Sequence, residues 1–130
     1  MPHIRIEYSA NMEARIDIAS LCRALRDAAA ATGLFPLAGI RVRALACTHA
    51  VIADGSPAHG FIDISLRLRG GRAPEEKHRA AKAVFDAAAA FCADDMARRP
   101  LALSLELRDI DPELSPKTGS IRRFLPGDAK

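Results

Sequence analysis

The residue whose chemistry depends most on its position is Pro2, directly behind the initiator methionine. Methionine ahead of a residue as small as proline is usually removed, which leaves a free secondary amine at the chain end. The pyrrolidine ring fixes φ, so that nitrogen has little freedom beyond that of the strand it begins. An α-amino group ordinarily titrates at about 7.7–8. Burial or cationic neighbours lower that value by disfavouring the charged form, and a neutral amine near physiological pH is a good general base. The competing reading is structural: Pro2 begins an edge strand and does nothing more.

Arginines are the second candidates. Arg41 and Arg43 lie in a strand entered through Phe35-Pro36-Leu37-Ala38-Gly39, and Arg72 closes the loop Gly70-Gly71-Arg72 ahead of a helix. A glycine pair running into a helix start gathers backbone N–H groups and a guanidinium in one place, which suits a carboxylate or phosphate. The loop is too short for a P-loop and lacks that motif's lysine and hydroxyl. For any one of these arginines the alternative is a solvated surface charge. His3 adjoins Pro2, but alternation points it away from Ile4, where packing at an interface competes with chemistry. His49 and His59 flank a connecting turn without metal-ligand spacing and read as surface groups, and His78 falls on the exposed side of a helix. Cys22, Cys47 and Cys92 are odd in number and form no Cys-x-x-Cys pair. They read as reduced thiols, with neither a disulfide framework nor a zinc site.

Four segments with a two-residue period must carry these groups. Ile4, Ile6 and Tyr8 oppose His3, Arg5 and Glu7. Ile40, Val42, Ala44 and Ala46 oppose Arg41 and Arg43. Ile62, Ile64, Leu66 and Leu68 oppose Asp63, Ser65, Arg67 and Arg69. Leu101, Leu103, Leu105 and Leu107 oppose Ser104, Glu106 and Arg108. Helical spacing spans about 14–32, with Gly33 as the stop, and about 74–98, between Pro74 and Pro100. The predicted class is α/β (α+β): two consecutive βαβ units forming one four-stranded mixed sheet, both helices on its apolar face. One domain is expected over 1–130, with halves of about 2–53 and 58–108 and a proline-broken tail over 109–130. The tail is expected to hold one helical turn near Ser120–Phe124 and to wrap a neighbour or stay partly mobile. The joint Ala53-Asp54-Gly55-Ser56-Pro57 is turn-rich and suits a hairpin. Sheets with parallel pairs are rarely left open to water, so the mixed polar face reads as a subunit interface.

Composition bounds the partners. The chain has 130 residues, 49% hydrophobic, with net charge +3. No apolar run approaches the roughly 20 residues of a membrane span, and the charged, alternating start is unlike a secretory signal, so a cytoplasmic protein is expected. Aromatics are only 5%, with no Trp. The platforms that a base-stacking surface needs are therefore nearly absent, and the arginine excess fits a small anionic substrate instead.

Pro2 behind Met1, the paired βαβ halves, Gly70-Gly71-Arg72, the block Leu101-Ala102-Leu103-Ser104 and above all the run Thr32-Gly33-Leu34-Phe35-Pro36-Leu37-Ala38-Gly39-Ile40-Arg41 resemble a known family. It is the 5-carboxymethyl-2-hydroxymuconate Δ-isomerases of the tautomerase superfamily, and the likeness runs from Pro2 to about Phe124. The resemblance implies a homotrimer with the polar sheet faces at its centre. It also implies a cofactor-free, metal-free isomerase in 4-hydroxyphenylacetate (homoprotocatechuate) catabolism, moving one proton from the 2-hydroxyl to C5 of a dienol tricarboxylate. Pro2 matches the family's catalytic proline. Arg41 and Arg72 match its carboxylate-holding arginines, with Arg43 as a helper. One departure is the segment Cys47–Ile52, which lacks the aromatic residues expected there and so implies a different pocket wall. A tautomerase of a smaller 2-hydroxymuconate or arylpyruvate-type enol is the nearest alternative. A ferredoxin-like module that binds RNA without catalysis is the next, and an inactive structural trimer the last.

Overall fold

The computed structural model describes residues 2–127. The elements are β1 (His3–Ser9), α1 (Ile18–Ala31), β2 (Arg41–Cys47), β3 (Gly60–Arg69), α2 (Pro74–Arg98) and β4 (Leu101–Ile110), with single 3₁₀ turns at Ala10–Ala14, Leu37–Gly39 and Ile121–Phe124. The sheet order is β2-β1-β3-β4. β1 pairs parallel to β2 and β3 parallel to β4, while β1 and β3 meet antiparallel. Each half is thus a βαβ unit, as the alternation predicts, and the halves join through the two inner strands.

Local chemistry sets the helix ends. α1 begins later than the helical spacing suggests, because Asp17 is the better cap: its side chain accepts a hydrogen bond from Ser20 N–H at 3.1 Å. The chain just ahead of it turns instead onto the Met12 carbonyl, which accepts from Arg15 and Ile16 N–H. Gly33, at φ 71°, supplies the left-handed residue past the end of α1. α2 starts on Pro74 with Glu75 and Glu76 in its first turn and Arg98 in its last, matching the helix dipole at both ends.

The core lies between the sheet and the helices. Ile4, Ile6, Ile62, Ile64, Leu66 and Leu68 are fully buried, each contributing roughly 1.5–3 kcal/mol. Leu21, Leu25 and Ala29 of α1 and Ala80, Val84, Ala88 and Cys92 of α2 close over them. The opposite face is mixed, as expected. The register sets His3 between Arg41 and Arg67, Arg5 between Arg43 and Ser65, and Glu7 beside Asp63. An Arg5–Glu7 ion pair and a 2.7 Å hydrogen bond from Ser104 to Asp63 run across it.

One expectation needs correction. The joint between the halves carries no hairpin: β2 is an edge strand whose neighbour is β1, so the chain must pass β1 before starting β3. It does so as an irregular segment pinned at Asp54, which accepts from Ser56 N–H and lies 2.7 Å from His59 Nε2. Within the single chain the tail, most of it exposed, lies beside the entry to β2. Lys117–Arg122 share a cleft with Pro36–Arg41 there, and the expected helical turn is the 3₁₀ turn Ile121–Phe124.

Candidate active site

The topology decides which residues meet. β1 and β2 start at one end of the sheet, and β3 and β4, running the other way, finish there. Pro2, Arg41, the Gly70-Gly71-Arg72 loop and the root of the tail therefore converge at that end.

Pro2 is fully buried, and its carbonyl accepts a 3.1 Å hydrogen bond from Arg41 N–H. It heads an inner strand, so the edge-strand reading does not apply. Arg41 sits opposite His3 and lines two adjoining clefts of about 300 and 470 Å³. Arg72 approaches from the start of α2. Gly71, at φ 96°, turns the chain into position for it. Its guanidinium lies 4.8 Å over the Phe35 ring, donates to Leu34 O at 3.3 Å and stands 3.6 Å from Glu76 Oε2. The Arg72 Nε is buried and without a hydrogen-bond partner among the described residues. Leu34 and Phe35 precede the 3₁₀ turn Leu37–Gly39 that enters β2, so these contacts hold Arg72 at the end of the sheet where Arg41 and Pro2 lie. Arg43 stands one same-face position further along β2, where its Nη1 is 3.5 Å from His3 Nδ1.

His3 reports the field at this corner. Its pKa lies below the ordinary 6.5, first through burial and then through Arg67, Arg41 and Arg43. The unfolded chain takes up that proton more readily, so this contribution to stability is present above pH 6.5 and lost as pH falls from there through the folded value. Titration of the His3 ring by NMR should give a midpoint under 6.5, and His3→Gln should reduce the loss of Tm between pH 7 and 5. A midpoint at or above 6.5 would contradict the cationic environment.

The other sequence candidates lie elsewhere. His49 and His78 are exposed, and His59 is held by Asp54. Cys92 is buried and Cys22 and Cys47 are half-buried, all as free thiols. Among the described residues, no group of three His, Cys, Asp or Glu side chains could hold a metal ion, and no helix is long and apolar enough to cross a membrane. Lys117 and Arg122, on the tail, line the clefts beside Arg41 and had no periodic signal to mark them.

The family model for 5-carboxymethyl-2-hydroxymuconate isomerase matches residues 2–125. The chain belongs to that family, a family of isomerases. A curated relative from Escherichia coli, named 5-carboxymethyl-2-hydroxymuconate Delta-isomerase, is 33% identical over 121 residues, which is 93% of this chain and 96% of that one. A crystal structure of a 5-carboxymethyl-2-hydroxymuconate isomerase from Deinococcus radiodurans R1 superposes with TM-score 0.87 at 29% identity, covering 96% and 95% of the two chains. Another, of a 5-carboxymethyl-2-hydroxymuconate delta-isomerase, gives TM-score 0.86 at 30% identity over 98% and 95%. The fold is the tautomerase fold.

Proposed function

We propose that this isomerase ketonises 5-carboxymethyl-2-hydroxymuconate without a cofactor, with the amine of Met1-processed Pro2 as base and then acid. The convergence of Pro2, Arg41 and Arg72 at one end of the sheet, in a chain of this family, carries the proposal. The ring is fully buried, and burial disfavours the charged form of an amine. That amine takes the 2-hydroxyl proton as the C2–O bond becomes a carbonyl. The electron pair moves through the diene, leaving a C3–C4 double bond, and the same proton is returned at C5. Arg41 and Arg72 hold carboxylates and stabilise the charge that spreads toward them in the transition state, where fixed cations are worth most. Arg43 assists by keeping His3 in place.

The polar sheet face fits burial against sister subunits of a homotrimer. It is cross-braced by Arg5–Glu7 and Ser104–Asp63, and it also carries Leu45, which is 48% exposed in the single chain. The reading includes a role in the breakdown of 4-hydroxyphenylacetate, in the cytoplasm.

The arginine roles are tested by following ketonisation in the ultraviolet with Arg72→Ala. A loss in kcat/KM of about 10²–10³-fold is expected for a charge-stabilising donor, with the far-UV circular dichroism of the wild type retained. Unchanged kinetics with a lowered Tm would make Arg72 a packing residue over Phe35 and nothing more.

A further inference from the structure

Two clefts meet at the proposed site, and they share two cationic residues, Arg41 and Lys117. One adds Arg122 and the other adds His3 and Arg69, while no Asp or Glu among the described residues lines either cleft. Arg41 belongs to β2 and Arg72 to the loop ahead of α2. Lys117 comes from the tail, and the tail's course is built rather than loose. Gly70 N–H donates to Ile110 O at 2.9 Å, which ties the tail's root to the loop that carries Arg72. Asp111 then closes a turn, accepting from Glu113 N–H on its side chain and from Leu114 N–H and the Ser115 hydroxyl on its carbonyl. Pro112 and Pro116 restrict the backbone on either side.

We propose that Lys117 is a specificity-determining residue that holds the carboxymethyl carboxylate of the substrate, beyond the two carboxylates taken by Arg41 and Arg72. The inference rests on the function proposed above and adds to it the residue that distinguishes a tricarboxylate from a dicarboxylate. Three substrate carboxylates need three cationic partners, and a muconate without the carboxymethyl branch needs only two. Among the described residues Lys117 has no ion-pair partner. An ammonium on a flexible stem is a point charge with three donors, adaptable to a branch carboxylate at the cleft mouth. His3, in the same cleft, has its pKa lowered first by burial and then by Arg67, Arg41 and Arg43.

The experiment compares kcat/KM for 5-carboxymethyl-2-hydroxymuconate and for 2-hydroxymuconate, in the wild type, Lys117→Met, Lys117→Arg and the surface control Lys82→Met. A lost charge-assisted hydrogen bond predicts that Lys117→Met lowers the tricarboxylate-to-dicarboxylate ratio by about 10–100-fold. Lys117→Arg should restore most of it, and Lys82→Met, on the outer face of α2 beside Asp86, should leave it alone. A ratio that stays constant in Lys117→Met, or that falls equally in Lys82→Met, overturns the role of Lys117 while leaving the isomerase proposal standing. A wild type that converts neither enol overturns both. Circular dichroism and Tm of each variant separate a lost contact from a lost fold.

Discussion

Replacing Pro2 with alanine is expected to lower kcat for enol ketonisation by about 10²–10⁴-fold, the range a positioned acid–base group supplies. Alanine at the chain end still offers an amine, but a primary one, free to rotate where the pyrrolidine ring was fixed. The backbone bond from Arg41 N–H to the carbonyl of residue 2 does not depend on the side chain, so the strand should remain in register and Tm should change little. A sharper variant keeps a residue ahead of Pro2. Its nitrogen is then a tertiary amide without basicity, and the loss should be at least as great although every side chain is retained. Mass spectrometry establishes which form is present, and ketonisation rates read the effect. Equal rates for the processed and extended proteins would place the proton transfer on another group.

The second large effect concerns stability and lies at the far end of the sheet. Arg15 and Asp95 form a buried ion pair, with side chains 8% and 5% exposed and Arg15 Nη2 at 2.6 Å from Asp95 Oδ2. Arg15 Nε donates to both carboxylate oxygens, and Nη1 reaches the carbonyls of Ala58 and Pro100. Arg99 completes the pair from the end of α2 at 3.1 Å. The group thus ties together the chain before α1, the starts of β3 and β4, and the end of α2. Asp95→Ala leaves a guanidinium buried without its counter-charge, which costs about 3–5 kcal/mol and should lower Tm by roughly 10–20 °C at this size. The Arg15 guanidinium holds the Asp95 carboxyl below its ordinary 3.8. With a depressed folded value, this contribution is present above pH 3.8 and lost as pH falls below it, so acid unfolding should be shallower in Asp95→Asn. Because the cluster is remote from Pro2, kcat/KM at 25 °C (measured below the variant's Tm) should survive. A Tm within a few degrees of wild type would mean the pair is not a structural tie.

Gly60 belongs to the same cluster. A Cβ there would lie 2.5 Å from Met12 Sδ and 2.6 Å from Arg15 Nη1, so glycine is what lets the guanidinium lie against the start of β3.

The contrast between the two ends of the molecule explains what the sequence discloses. Alternation locates all four strands because each buries one face: Ile62, Ile64, Leu66 and Leu68 can point only one way. Pro2, Arg41 and Arg72 stand out because they sit beside strand starts and a helix start, where local pattern and chemistry coincide. Asp95 does not stand out. It follows Ala80, Val84, Ala88 and Cys92 on the buried stripe of α2, a charge on an apolar face, and its partner is 80 positions away. Only the folded chain supplies that partner. Lys117 is hidden for a related reason: a proline-broken tail has no period, and only the folded chain brings it to the clefts that Arg41 lines. The hairpin expected between the halves failed because turn residues report local bending and not which strand lies alongside. The order β2-β1-β3-β4 is fixed by pairing across the sheet.

The most direct test of the account is the ultraviolet change when the Met1-processed protein, verified by mass, is mixed with 5-carboxymethyl-2-hydroxymuconate. Ketonisation well above the uncatalysed rate, lost when a residue is retained ahead of Pro2, is the predicted result. No acceleration by the intact, processed protein would contradict the account at its centre.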